Sequence, residues 1–78
     1  MSRMEAVMRT LATSVDEWTD RVRAEYLEMP GLSLTRRQMR RLWRLDQHVC
    51  DAVVDALVAA NFLWRRRDDT YVVRHERP

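Results

Sequence analysis

The 78-residue chain contains no lysine, and all fourteen of its basic residues are arginine. It has one glycine, two prolines and a single cysteine. No apolar run approaches the ~20 residues that a helix needs to span a bilayer. Each scarcity excludes something. One glycine leaves no glycine-rich phosphate loop. With only two prolines beside it, there is no material for flexible linkers, so long regular elements and short turns are expected. A lone Cys50 rules out an internal disulfide and any paired-cysteine metal spacing, and suits a reducing compartment. No long apolar block with a small-residue cleavage site opens the chain, so no signal peptide is expected. The expectation is a soluble cytoplasmic protein that is not an enzyme, with no catalytic residue, cofactor, metal or membrane partner. His48, Asp51 and Asp55 would share one helical face, which reads as solvated polar surface before it reads as a metal site.

A chain this short forms one domain and buries only about 60% of its unfolded surface. Three Trp, two Tyr, one Phe and five Met supply the large apolar groups for an efficient core. Net charge is +2, but it is unevenly spread. Residues 1–34 carry four Arg against six acids, and residues 35–78 carry ten Arg against six acids. A GC-rich genome, which favours Arg codons, would explain the choice of Arg over Lys. It does not explain where the arginines cluster.

Met4, Met8, Leu11, Val15, Trp18 and Val22 follow a 4-3-4-3-4 spacing, which lines them on one helical stripe that Tyr26 extends. Ser14 and Glu17 form a capping box that could open a new helix at Val15. A firm helix is therefore expected over residues 15–28, preceded by a helical or frayed stretch from about residue 3, with Pro30-Gly31 as the stop. A helix over 3–28 would be about 39 Å long, more than a small trihelical domain can cover. Its surplus stripe either folds back on its own domain or, through Met4, Met8, Leu11 and Val15, holds a second copy.

Leu32-Ser33-Leu34 reads as a short strand. Thr35 with Gln38 forms a second capping box, opening a helix that runs to about Trp43 and buries Met39, Leu42 and Trp43. Arg36, Arg37, Arg40, Arg41 and Arg44 fill a separate arc of about 140° on the helical wheel, with no acid among them. Their i,i+4 like-charge pairs cost roughly 0.2–0.5 kcal/mol each. Phosphates, the helix-one acids Asp16 and Asp20, or a partner protein could neutralise this face. Leu45 closes the turn and Asp46 is expected to cap the next helix with its carboxylate. That helix buries Val49, Cys50, Val53, Val54, Leu57 and Ala60, making Cys50 a small buried hydrophobe. Asn61 supplies a left-handed stop. Residues 62–66 and 70–74 then read as two strands, turning through Arg67, Asp68 and Asp69, with Trp64, Tyr71 and Val73 closing on the helices.

In order, these stretches are LSLTRRQMRRLWRLD, CDAVVDALVAANFL and YVV. They resemble small stand-alone bacterial winged helix-turn-helix proteins over roughly residues 24–74. The resemblance implies a mainly α fold with a small β-hairpin (α+β), most members of that superfamily being DNA-binding transcription regulators and a minority binding proteins. One departure stands out: such hairpins usually turn through Asp-Gly, and here Asp69 replaces the glycine. The expected organisation is an N-terminal extension (1–14), a winged domain (15–74) and a frayed tail (75–78) that includes His75.

In a helix-turn-helix the second helix of the motif enters the major groove. Here it would present Gln47 and His48 to base edges, but Asp51 and Asp55 to phosphates. It carries no arginine. The expected DNA surface is instead Arg36, Arg37, Arg40, Arg41 and Arg44 with Arg65, Arg66 and Arg67 of the wing, gripping double-stranded DNA by its phosphates. Contacts of that kind position a protein without reading sequence. About six neutralised phosphates would give a log–log salt slope near −5. The alternative from another class is a protein-interaction module, an adaptor or regulator partner that uses the same scaffold without DNA.

Overall fold

In the computed structural model, which describes residues 3–74 and side chains from residue 14 onward, the first element is one helix, α1 (Arg3–Glu28). The Ser14–Glu17 box does not open a new helix. α1 passes through it unbroken, and the Thr19 hydroxyl donates to the Val15 carbonyl at 2.6 Å. Val22 and Tyr26 are buried, with Val15 and Trp18 packed partly against them. The second half of the predicted stripe thus serves the core of its own domain. The side chains of Met4, Met8 and Leu11, three of the four residues expected to hold a second copy, lie outside the described residues, as do residues 75–78.

The chain leaves α1 through a turn at Pro30-Gly31, where the Leu32 N–H donates to the Met29 carbonyl at 2.9 Å. It then pairs briefly as β1 (Leu34–Thr35) and enters α2 (Arg36–Trp43). The predicted capping box is formed. The Gln38 N–H donates to the Thr35 hydroxyl at 3.1 Å, and the Thr35 N–H donates to the Gln38 side chain at 2.8 Å. α2 ends on Arg44, in the left-handed region at φ 52°, with its own N–H and that of Leu45 converging on the Arg40 carbonyl. α3 (Gln47–Ala59) follows. Asp46 stands at its N-cap, but its carboxylate makes no capping hydrogen bond, contrary to expectation. The side chain is exposed, and only the backbone carbonyl is used, accepting from the Cys50 N–H at 2.9 Å.

α3 closes on Asn61 at φ 60°, as its sequence predicts. The Asn61 N–H donates to the Val58 carbonyl and the Phe62 N–H to the Leu57 carbonyl, the paired bonds of a Schellman motif. Ala60, the C-cap residue just past the last helical position, is exposed instead of joining the core. The chain then forms β2 (Leu63–Arg65) and β3 (Thr70–Val73), antiparallel in a sheet ordered β1-β3-β2. Their turn is a three-residue loop closed by Asp69 N–H to Arg66 carbonyl (3.0 Å) and Arg66 N–H to Thr70 carbonyl (2.8 Å). Asp69 takes φ 67°, where such a loop favours glycine.

Three helices followed by an antiparallel hairpin make this a small winged-helix-like α+β domain. Its core joins Val22 and Tyr26 of α1, Met39, Leu45, the apolar side of α3, and Leu63 and Tyr71 of the sheet. The buried Tyr26 hydroxyl donates to the Tyr71 carbonyl at 2.8 Å, which fastens α1 to the sheet. Among the described residues no helix is long and apolar enough to cross a membrane.

Two further core assignments read from the sequence are corrected. Leu42 is 58% exposed, because α2 is rolled so that Met39, Trp43 and Arg36 face the domain and Leu42 turns out. Trp64 is 55% exposed, while its neighbour Leu63 is 1% exposed. Strand side chains alternate between faces, and the bend at Asn61-Phe62 sends Leu63 inward.

Candidate nucleic-acid interface

The five arginines assigned to α2 do not form one equivalent set. Arg36 is built into the domain. Its Nε donates to the Tyr71 hydroxyl at 3.0 Å, one terminal nitrogen to Asp51 at 2.9 Å and the other to Asp55 at 2.8 Å. The guanidinium also lies over the Tyr71 ring, 5.2 Å from its centroid. Partial burial alone would lower its pKa, but the hydrogen bonds to Asp55, Tyr71 and Asp51 outweigh that and push it above the ordinary arginine value. Arg36 therefore ties α2 to α3 and β3. The carboxylates that neutralise part of the basic face come from α3, not from Asp16 or Asp20, which are exposed.

Arg37, Arg40, Arg41 and Arg44 are all exposed, and none pairs with a carboxylate among the described residues. They are the free cations of α2. On α3, Gln47 and His48 are exposed at the N-terminal end, as expected of groups that could reach a ligand. Asp51 and Asp55 occupy the next turns, but each gives an oxygen to Arg36 and so presents less negative charge outward.

The wing arginines divide in the same way. Arg65 is held by Asp69, with Nε donating at 2.8 Å and a terminal nitrogen making a second, closer contact. Arg66 and Arg67 are exposed and have no carboxylate partner among the described residues. Asp68 accepts from the Thr70 hydroxyl at 2.6 Å and from the Thr70 N–H, which holds its carboxyl below the usual range. The wing tip is thus fixed by its two acids, leaving two arginines outward. A shallow depression of about 470 Å³ lies between α2 and the wing, lined by Thr35, Arg36, Arg37, Arg65, Asp69 and Tyr71.

No family model, curated protein or solved structure matches the chain. Its chemistry is therefore read from its own residues. Cys50 is fully buried, its thiol donates to the Arg36 carbonyl at 3.6 Å, and burial pushes its pKa up, which describes a packed hydrophobe and not a nucleophile.

Sequence reasoning missed Arg36's structural role and the exposed Trp64. A signal for the first was present. On the helical wheel Arg36 falls at the edge of the basic arc nearest Trp43, while Asp51 and Asp55 sit four apart on one face of α3. No local signal marked Trp64, since both of its strand neighbours are plausible core residues or cations.

Proposed function

We propose that this domain binds double-stranded DNA by its phosphates, as a winged-helix regulator whose grip comes from Arg37, Arg40, Arg41 and Arg44 with Arg66 and Arg67 of the wing. One observation carries the reading: these guanidiniums are exposed and unpaired among the described residues, while Asp51 and Asp55 of α3 are engaged by Arg36. Like-charged side chains on one short helix are locally unfavourable, and a polyanion removes that cost. Neutralising six phosphates gives a log–log salt slope near −5. Gln47 and His48 are the groups placed to touch base edges. Sequence discrimination per copy is weak, because most contacts reach phosphate.

The alternative, a docking face for protein polarised between α3 acids and α2 bases, is less well supported, since Arg36 bridges the two and reduces the charge contrast. Amide chemical-shift mapping with a mixed-sequence duplex separates the readings. Shifts over residues 37–44 and 65–70 are expected. Shifts confined to α1, or none at low salt, would overturn the DNA reading.

A further inference from the structure

The outer face of the sheet carries a second feature, away from α2. Trp64 is 55% exposed there, opposite Val72 in the β2–β3 register. Arg66 lies two residues beyond Trp64 on the same face, and Arg74 lies two beyond Val72. The hairpin ladder continues at both ends: Arg66 N–H donates to the Thr70 carbonyl, and Arg74 N–H donates to the Phe62 carbonyl. The strands being antiparallel, Arg66 falls on the tip side of the indole and Arg74 on the root side. Each is about 6.6 Å away along the strands, at ~3.3 Å per residue. The three residues share an open groove of about 710 Å³ with Val72 and Ser33. A second depression of about 560 Å³ touches Trp64 from the tip side, with Arg65, Arg66, Arg67 and Asp68 in its wall. Among the described residues no acid lines the larger groove. Arg74 donates only to the neutral Asn61 side chain, at 3.1 Å, so its charge stays uncompensated among the described residues.

We propose that this face binds single-stranded nucleic acid, with one base stacked on Trp64 and the flanking phosphates held by Arg66 and Arg74. Arg66 and Arg74 lie about 13 Å apart along the strands, one on each side of the exposed indole, and their long side chains can reach inward to the phosphates that flank a stacked base. An acidic peptide would satisfy the cations but has no flat π-surface at each repeat. Stacking of this kind tolerates any base, because every base has a π-face. The site stands whether or not α2 binds duplex, since it shares only Arg66 with that surface.

The test is a titration of the whole chain with a ten-residue oligo-dT at low salt, read by tryptophan emission and by anisotropy of a labelled strand. Trp18 and Trp43 are partly buried, so quenching should report Trp64. The Trp64→Ala variant should bind roughly tenfold more weakly. It should keep its duplex affinity, and its circular dichroism should match wild type. Trp64→Phe should retain most of the binding and lose most of the quenching. Arg74→Ala should flatten the salt slope by about 0.7, the contribution of one single-strand phosphate. An abasic oligomer of equal length should bind more weakly than oligo-dT. Conversely, Arg37/Arg40/Arg41→Ala should leave oligo-dT binding within about threefold, which separates failure of this site from failure of the duplex surface. The proposal is overturned if oligo-dT fails to bind at low salt. Equal binding by Trp64→Ala or by the abasic strand also overturns it. So does displacement by polyglutamate as effective as by oligo-dT, which would make the occupant an acidic peptide.

Discussion

Arg36 donates to Tyr71, Asp51 and Asp55, while Arg37 beside it faces solvent. The two share a residue type and adjoining positions, yet they differ in what their removal does. Arg36→Ala deletes a half-buried guanidinium and leaves two carboxylates i,i+4 on α3 without their cation. With one partner largely exposed the loss is moderated by solvent, and about 1–2 kcal/mol of stability should go. Arg37→Ala should change stability by less than about 0.5 kcal/mol. Urea denaturation of the pair measures both, and equal effects would contradict the division of the basic face into a fastened residue and free ones.

α2 is short enough that its two ends decide much of its geometry. The Thr35–Gln38 box fixes where it starts, and Arg44 in a left-handed conformation fixes where it stops. A β-carbon is strained at that stop and glycine is not. Arg44→Gly should therefore raise stability by up to about 1 kcal/mol, visible as a higher Tm, whereas a loss would show that the Arg44 side chain contributes to the fold. Features of this local kind were legible in the sequence. Thr35 with Gln38, Asn61 before Phe62, and Asp69 at the glycine position each act within a few residues of themselves. The failures lie elsewhere. Period alone places Leu42 and Trp64 inward, but the roll of an eight-residue helix is set by what packs on it. Here Arg36 joined Met39 and Trp43 in facing the domain. The facing of β2 follows from the bend at Asn61-Phe62, one residue of which inverts every side chain after it. Asp46 shows the same limit: the right residue stood at the N-cap, but its exposed carboxylate makes no capping bond.

Across the molecule, Arg37, Arg40, Arg41 and Arg44 are exposed and unpaired among the described residues, and α1 runs for 26 residues, about 39 Å, with its later half serving the core. Val15 contributes to that core, so pairing of two copies would rest on the earlier positions Met4, Met8 and Leu11. We expect a dimer by light scattering at high micromolar concentration and a monomer for Met8→Glu; a monomeric wild type would remove this part of the account. Pairing would double the phosphate contacts and let two weak readers act on two half-sites. The central claim, phosphate grip by the free arginines of α2, has a direct measurement. It is duplex affinity across a series of salt concentrations for wild type and for Arg37/Arg40/Arg41→Ala, a variant that keeps Arg36 and relieves the Arg37/Arg41 repulsion. Per copy, the wild type should show a slope near −5 and the variant one flatter by roughly 2.7, at 0.9 per phosphate lost. A wild type that does not bind duplex at low salt, or a slope that the three substitutions leave unchanged, would contradict it.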